Sequence, residues 1–172
     1  MTGEALAELL AEREVRGVIA RYARGIDRLD MELVRSCYWP DATDVHGTFT
    51  GSRDGFIAWV EPLLQRHTMT MHHLAEVLVD LHGDSAAVET YGVAYHSGEP
   101  SGDLRWNYAA GFRYADRFER RDGAWRIADR VTVVEWVTPW DVDTARTAIF
   151  GRLASRSEAD PIYAAGARRA VP

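Results

Sequence analysis

Apolar residues recur at three- and four-residue intervals through the first part of the chain, and the pattern later changes to alternation. Leu6, Leu9, Leu10, Val18, Ile19, Tyr22 and Ile26 share one stripe, which predicts an amphipathic helix over roughly 4–25. Gly25 loosens its end, and Asp27 falls at or just beyond it. Asp30 is placed to cap a second, short helix running to about Cys37, with Glu32 and Leu33 in its first turns. Tyr38-Trp39-Pro40 closes that helix and residues 43–49 form a short strand. Ser52 or Asp54 caps a third helix carrying Phe56, Ile57, Val60, Leu63 and Leu64, with Pro62 kinking or disrupting its later half.

From Thr68 the reading is β. Thr70 to Leu81 and Ala86 to His96 are strands separated by His82-Gly83-Asp84, and a turn-rich linker covers 98–102. Residues 104–120 and 124–138 make a long hairpin around Asp122-Gly123, a pair suited to a left-handed two-residue turn. Counting outward from that turn sets Phe118 opposite Ile127, Asp116 opposite Asp129 and Tyr114 opposite Val131. One face then carries Phe112, Tyr114, Phe118, Trp125, Ile127, Val131 and Val133, and the other Arg113, Arg130, Thr132, Val134 and Trp136. Two aspartates face to face are unfavourable, so Arg113, Arg130 or a register shift is expected to relieve them. A short helix over 142–153 follows. The expected organisation is one α+β domain over 1–153, helices packed on a curved, mainly antiparallel sheet, with 154–172 an arm or disordered tail.

Composition narrows the function. A chain of 172 residues with 47% apolar residues and 18 aromatics can enclose a core and a modest pocket. A net charge of -6 argues against a nucleic-acid module. Cys37 is the single cysteine, which excludes an internal disulfide and any multi-cysteine metal site. The acidic, amphipathic start and the lack of a long apolar span lead to the expectation of a cytoplasmic protein without a membrane partner. No GxGxxG occurs, which disfavours a flavin or nicotinamide cofactor, and no histidine spacing supports a metal.

The polar residues with chemical potential are few. Asp27 could pair with an imidazole from His67-Thr-Met-Thr-Met-His72-His73, whose last two histidines point to opposite faces of a strand. His72 would lie with Thr70 and Leu74, and His73 with Met71 and Ala75. An imidazole fixed by a carboxylate is a sound general base; a buried structural histidine is the alternative. Tyr22 could polarise a substrate oxygen or serve as a core aromatic. Arg130, in an apolar strand, requires a partner such as Asp27, Asp116 or Glu76, or binds an anion. Trp39, Trp106, Trp136 and Trp140 are candidates for a pocket wall, with Tyr108, His96, Asn107 and His73 as polar contacts.

The pieces Ile19-Ala-Arg-Tyr22-Ala-Arg-Gly-Ile-Asp27, Tyr38-Trp39-Pro40-Asp41-Ala42, Thr70-Met-His72-His73 and Arg113-Tyr-Ala-Asp-Arg-Phe-Glu-Arg-Arg-Asp-Gly-Ala-Trp-Arg-Ile127 occur in an order that resembles the SnoaL-like, or nuclear transport factor 2-like, superfamily. The resemblance runs from about Ala5 to Trp140 and is closest to the dehydratase and dehydrochlorinase branch. It implies a cone-shaped α+β barrel on a strongly curved sheet, no metal or redox cofactor, and a homotrimer or homodimer. On the dehydrochlorinase pattern Asp27 matches the aspartate, His72 the histidine base and Arg130 the late-strand arginine, whereas Tyr22 replaces a lysine. Tyr22 matches instead the tyrosine of the bile-acid dehydratase pattern. The implied activity is β-elimination of water from a hydroxylated cyclic or polycyclic compound such as a steroid or polyketide. Double-bond isomerisation and non-catalytic binding are the alternatives.

Overall fold

The computed structural model describes residues 2–98, 107–140, 155–157 and 159–167. Trp106, most of the 98–102 linker and the helix expected over 142–153 lie outside the described residues. Helix α1 (Gly3–Arg28) is capped at its start by the Thr2 hydroxyl and ends where Leu29 turns left-handed. It runs three residues beyond the expected 25, which puts Asp27 in its last turn. Helix α2 (Met31–Ser36) begins at the predicted Asp30 cap, whose side chain accepts from the Leu33 amide. The two helices close on each other at Gly25, where any Cβ would come within 2.7 Å of Val34. Strand β1 (Tyr38–His46) starts earlier than expected, because Tyr38-Trp39-Pro40 is extended rather than a helix end. Strand β2 (Phe49–Ser52) leads into α3 (Arg53–Leu64), which keeps Pro62 within it.

Strands β3 (Met69–His82), β4 (Ser85–Ser97), β5 (Tyr108–Arg121) and β6 (Ala124–Pro139) complete a six-stranded sheet in the order β2-β1-β6-β5-β4-β3. Every neighbouring pair is antiparallel except β1 with β6. This corrects the expected cone-shaped barrel. The sheet is open, with β2 and β3 as its two edges and no ladder joining them, and it is neither closed nor strongly curved. Closure is unnecessary because α1 and α3 cover one face and supply the buried Val15, Ile19, Tyr22, Phe56 and Val60 that fill the core.

The hairpin register departs from simple counting. Asp122 and Gly123 take positive φ of 51° and 77°, as a two-residue hairpin turn requires, and Phe118 faces Ile127. The ladder then shifts: Arg117 faces Asp129 while Phe118 faces Ile127, which leaves Ala128 as an extra residue in β6. A second shift leaves Glu135 extra between Val134 and Trp136. Asp116 therefore faces Arg130, not Asp129, and the clash disappears. The face assignment is corrected with it: Arg130, Thr132 and Val134 turn toward the helices and Val131 and Val133 turn away, while Trp136, beyond the second shift, keeps the outward side with Arg113.

After α3, Arg156 donates to the carbonyls of Leu64 and His67 at 2.8 and 2.7 Å, and Asp160 pairs with Arg28. Asp160 caps the one-turn helix α4 (Pro161–Ala164). No helix among the described residues is long and apolar enough to cross a membrane.

Candidate functional site

A cavity of about 310 Å³ lies between the helices and the inner face of the sheet. Ile26, Trp59, Leu63, Ala94, Phe112 and Val134 give it an apolar wall, and His46, His67, His72 and His96 bring four imidazoles to it. Its size is at the small end of the range for ligand sites.

His72 lines this cavity and Asp27, 45 residues away in the chain, stands behind it, because the last turn of α1 crosses the start of β3. Each carboxylate oxygen has its own position on the histidine. Oδ2 accepts the His72 backbone N–H at 2.9 Å, and Oδ1 lies 2.7 Å from ring Nδ1. The two contacts fix both the backbone and the ring. Nδ1 then carries the hydrogen directed to the carboxylate, and Nε2 keeps its lone pair for the cavity. The side chains are only 8% and 13% exposed for His72 and Asp27. Phe112 supports the imidazole edge-on at 5.9 Å. That placement of Phe112 needs Gly92 on the adjacent strand, where a Cβ would come within 2.6 Å of the phenyl ring.

Beside His72 stands His96, 5.8 Å away ring to ring, stacked at 4.7 Å on Tyr108. Burial, reinforced by the neighbouring His72 and His67, pushes His96 down to about 2, so its ring is neutral at physiological pH. Burial also raises the Tyr108 hydroxyl above its usual range. His96 is thus a neutral polar neighbour of His72, and Tyr108 stands neutral behind His96.

Tyr22 lines the cavity and is buried to 1% exposure, and burial holds its hydroxyl well above the ordinary phenol range despite the nearby Arg130 charge. It can donate a hydrogen bond but does not ionise. Arg130 is not among the cavity-lining residues. Its Nε and Nη2 donate to the two oxygens of Asp116 at 2.7 and 2.6 Å, with both side chains fully buried. The guanidinium lies 4.1 Å from the Tyr22 ring centre and 3.9 Å from that of Tyr114. Burial works against its charge more than any single neighbour favours it, but the Asp116 carboxylate together with Tyr38 and Tyr22 holds it above the usual guanidinium range, so it stays protonated.

The expected pocket-wall residues divide. Tyr108 reaches the cavity. Trp39 does not: its Nε1 donates to the Glu119 carbonyl at 3.0 Å, and the guanidiniums of Arg121 and Arg126 sit over its ring. Trp136 and His73 share a shallow groove with Tyr91 on the opposite face of the sheet. Residues passed over by the sequence reading are His46, at alternate spacing from Asp44 on β1, and Trp59, one helical turn from Phe56 and Leu63. Either spacing could have signalled them. No group of three or more His, Cys, Asp or Glu side chains suited to a metal ion occurs among the described residues.

An apolar hollow with a carboxylate fixing one imidazole at its wall equips an α+β scaffold to handle a small organic molecule. Residues 7–131 match the SnoaL-like domain family, and the chain belongs to it. Solved structures share the fold at low identity. A protein provisionally named a scytalone dehydratase, from Novosphingobium aromaticivorans DSM 12444, is 19% identical at a TM-score of 0.69, covering 79% of this chain and 91% of its own. The hexachlorocyclohexane dehydrochlorinase LinA-type3 of Novosphingobium barchaimii LL02 is also 19% identical, at a TM-score of 0.67 and coverages of 79% and 94%. Rv3472 of Mycobacterium tuberculosis, a protein of unknown function, is 19% identical at a TM-score of 0.65, covering 95% of this chain and 88% of its own. Among curated protein sequences, none matches.

Proposed function

We propose that the chain is a lyase that removes water from a hydroxylated cyclic compound by β-elimination, using its own side chains and no cofactor. The observation that carries this reading is the Asp27–His72 pair at the wall of an apolar cavity. In this reading His72 Nε2 takes a proton from carbon, the C–H electrons form the double bond as the C–O bond of the neighbouring carbon breaks, and the departing oxygen leaves as water with the proton that the His72 imidazolium returns to it. Asp27 holds the ring in the required tautomer and balances the positive charge that it gains. Tyr22 donates a hydrogen bond to a substrate oxygen inside a water-poor site, where such a bond is worth more than in solution. Arg130 acts as a positioning residue, because it holds Asp116 and packs under Tyr22 and Tyr114 instead of reaching the cavity. A cavity of this size favours a compact two-ring skeleton over an elongated one.

The named folds of the dehydratase and the dehydrochlorinase are consistent with elimination chemistry on this scaffold. The outer sheet face, where Tyr91, Val131 and Trp136 are each more than 40% exposed, supports assembly into a homodimer or homotrimer through that face.

Turnover of a panel of fused-ring β-hydroxyketones, followed by mass spectrometry, tests the reaction. Loss of water by the parent and a drop of about 10²–10⁴-fold in His72→Ala are expected. Migration of a double bond without loss of water would make the protein an isomerase instead. Equal water loss by parent and variant would remove His72 as the base.

A further inference from the structure

At the other end of the cavity wall a second carboxylate stands behind a second imidazole. His46 lines the cavity from β1, and its Nδ1 lies 3.0 Å from Thr132 Oγ1 and 3.6 Å from Asp44 Oδ1. Asp44 is fully buried and its other oxygen, Oδ2, accepts the Tyr38 hydroxyl at 2.6 Å. Oδ1 has no hydrogen-bond partner within normal reach among the described residues, and the His46 ring lies 3.6 Å from it. Phe56, Trp59 and Tyr114 pack around the imidazole at ring separations of 5.2, 6.2 and 6.3 Å, so its orientation is set by packing as well. Two aromatic side chains separate it from the reacting corner: Tyr114 adjoins His46, Phe112 lies 4.6 Å from Tyr114, and His72 adjoins Phe112.

We propose that His46 is a specificity-determining residue: its Nε2 accepts a hydrogen bond from a second hydroxyl group of the ligand, an alcohol or phenol at the end of the ring system remote from His72. The chemistry follows from Asp44. A buried carboxylate 3.6 Å from Nδ1 electrostatically favours the tautomer with hydrogen on that nitrogen, where it is donated to Thr132 Oγ1, which leaves Nε2 as an acceptor. A hydroxyl hydrogen satisfies an acceptor; an ether or ketone oxygen does not, and would leave two acceptors opposed in an apolar site. The ligand class is therefore a cyclic compound oxygenated at both ends, with a hydroxyl donor at the far one. This inference rests on the ligand occupying the cavity as proposed above, but it does not depend on elimination taking place.

Binding of 2-naphthol, 2-methoxynaphthalene and naphthalene, measured by calorimetry, separates the two questions. The parent is expected to bind 2-naphthol about ten-fold more tightly than the ether, from the cost of an unmatched buried acceptor. His46→Phe, which keeps an aromatic ring against Phe56, is expected to bind naphthalene as before and to lose the naphthol preference. His72→Phe is expected to keep it. Asp44→Asn supplies a sharper arm. With Tyr38 still donating to the amide oxygen, the amide N–H faces His46 Nδ1, the ring hydrogen moves to Nε2, and the preference passes to the ether. Equal affinities in the parent, a naphthol preference that survives His46→Phe, or failure of all three probes to bind overturns the assignment. Failure of the β-hydroxyketone panel with a naphthol preference intact would instead remove the elimination chemistry and leave this site standing.

Discussion

Asp27 with His72 and Asp116 with Arg130 are two carboxylate pairs in one small core, and they are built differently. The first joins a helix end to a strand 45 residues away, touches the cavity and leaves one ring nitrogen uncommitted. The second joins neighbouring strands directly across a ladder, is fully buried and spends both carboxylate oxygens on one guanidinium. A pair that leaves an unused atom facing a cavity is equipped for chemistry. A pair that turns two N–H groups onto one carboxylate out of reach of a ligand holds other residues in place, here Tyr22 and Tyr114.

The distinction can be broken by substitution, and the largest effect is expected at the sealed pair. Arg130→Met leaves Asp116 buried without its partner, and a loss of about 3–5 kcal/mol of stability is expected in urea unfolding. His72→Ala should cost far less stability while lowering turnover by about 10²–10⁴-fold. Replacing both members, Arg130→Met with Asp116→Leu, is expected to recover most of the stability, because a well-packed apolar pair avoids the desolvation cost. If the double variant is as unstable as the single one, the guanidinium is needed for the tyrosine packing itself.

Gly92→Ala comes next. Its methyl group would come within 2.6 Å of the Phe112 ring, so a loss of about 1–3 kcal/mol is expected, with a raised KM because Phe112 lines the cavity. An unchanged KM would show that Phe112 does not shape the binding site. The smallest effect concerns pH. His96 is held at about 2, below its unfolded value of 6.5. The folded state therefore binds fewer protons than the unfolded state between these values. The stability that a neutral His96 retains is complete above pH 6.5 and is lost progressively as pH falls below it, so the effect is absent at neutral pH. His96→Phe should flatten the acid limb of the unfolding curve; an unchanged slope would place the sensitivity elsewhere.

Local pattern carried much of this architecture. The stripe from Leu6 to Ile26, the Asp30 cap and the Asp122-Gly123 turn are short-range features, and alternation alone separates His72 from His73. The bulges at Ala128 and Glu135 leave no such mark, because an extra residue in a ladder is decided by the partner strand. Counting therefore failed beyond Ile127 and put Val131 on the wrong face, although the awkward Asp116/Asp129 apposition had already pointed to a shift. Openness of the sheet depends on whether β2 and β3 find each other, a property of neither sequence alone. Trp39 was misleading for a similar reason: nothing local shows that Glu119, 80 residues away, would take its indole hydrogen. His46 lay within the strand expected over 43–49, but nothing local shows that its side of that strand meets α3 and the cavity.

The central claim is that Asp27 and His72 act as one unit. Elimination rates for Asp27→Asn, His72→Ala and the double variant, with folding checked by circular dichroism, test it most directly. The double variant is expected to be no slower than His72→Ala alone, since residues working as a unit give non-additive losses. Losses that multiply in the double variant would show two independent contributions and contradict the account.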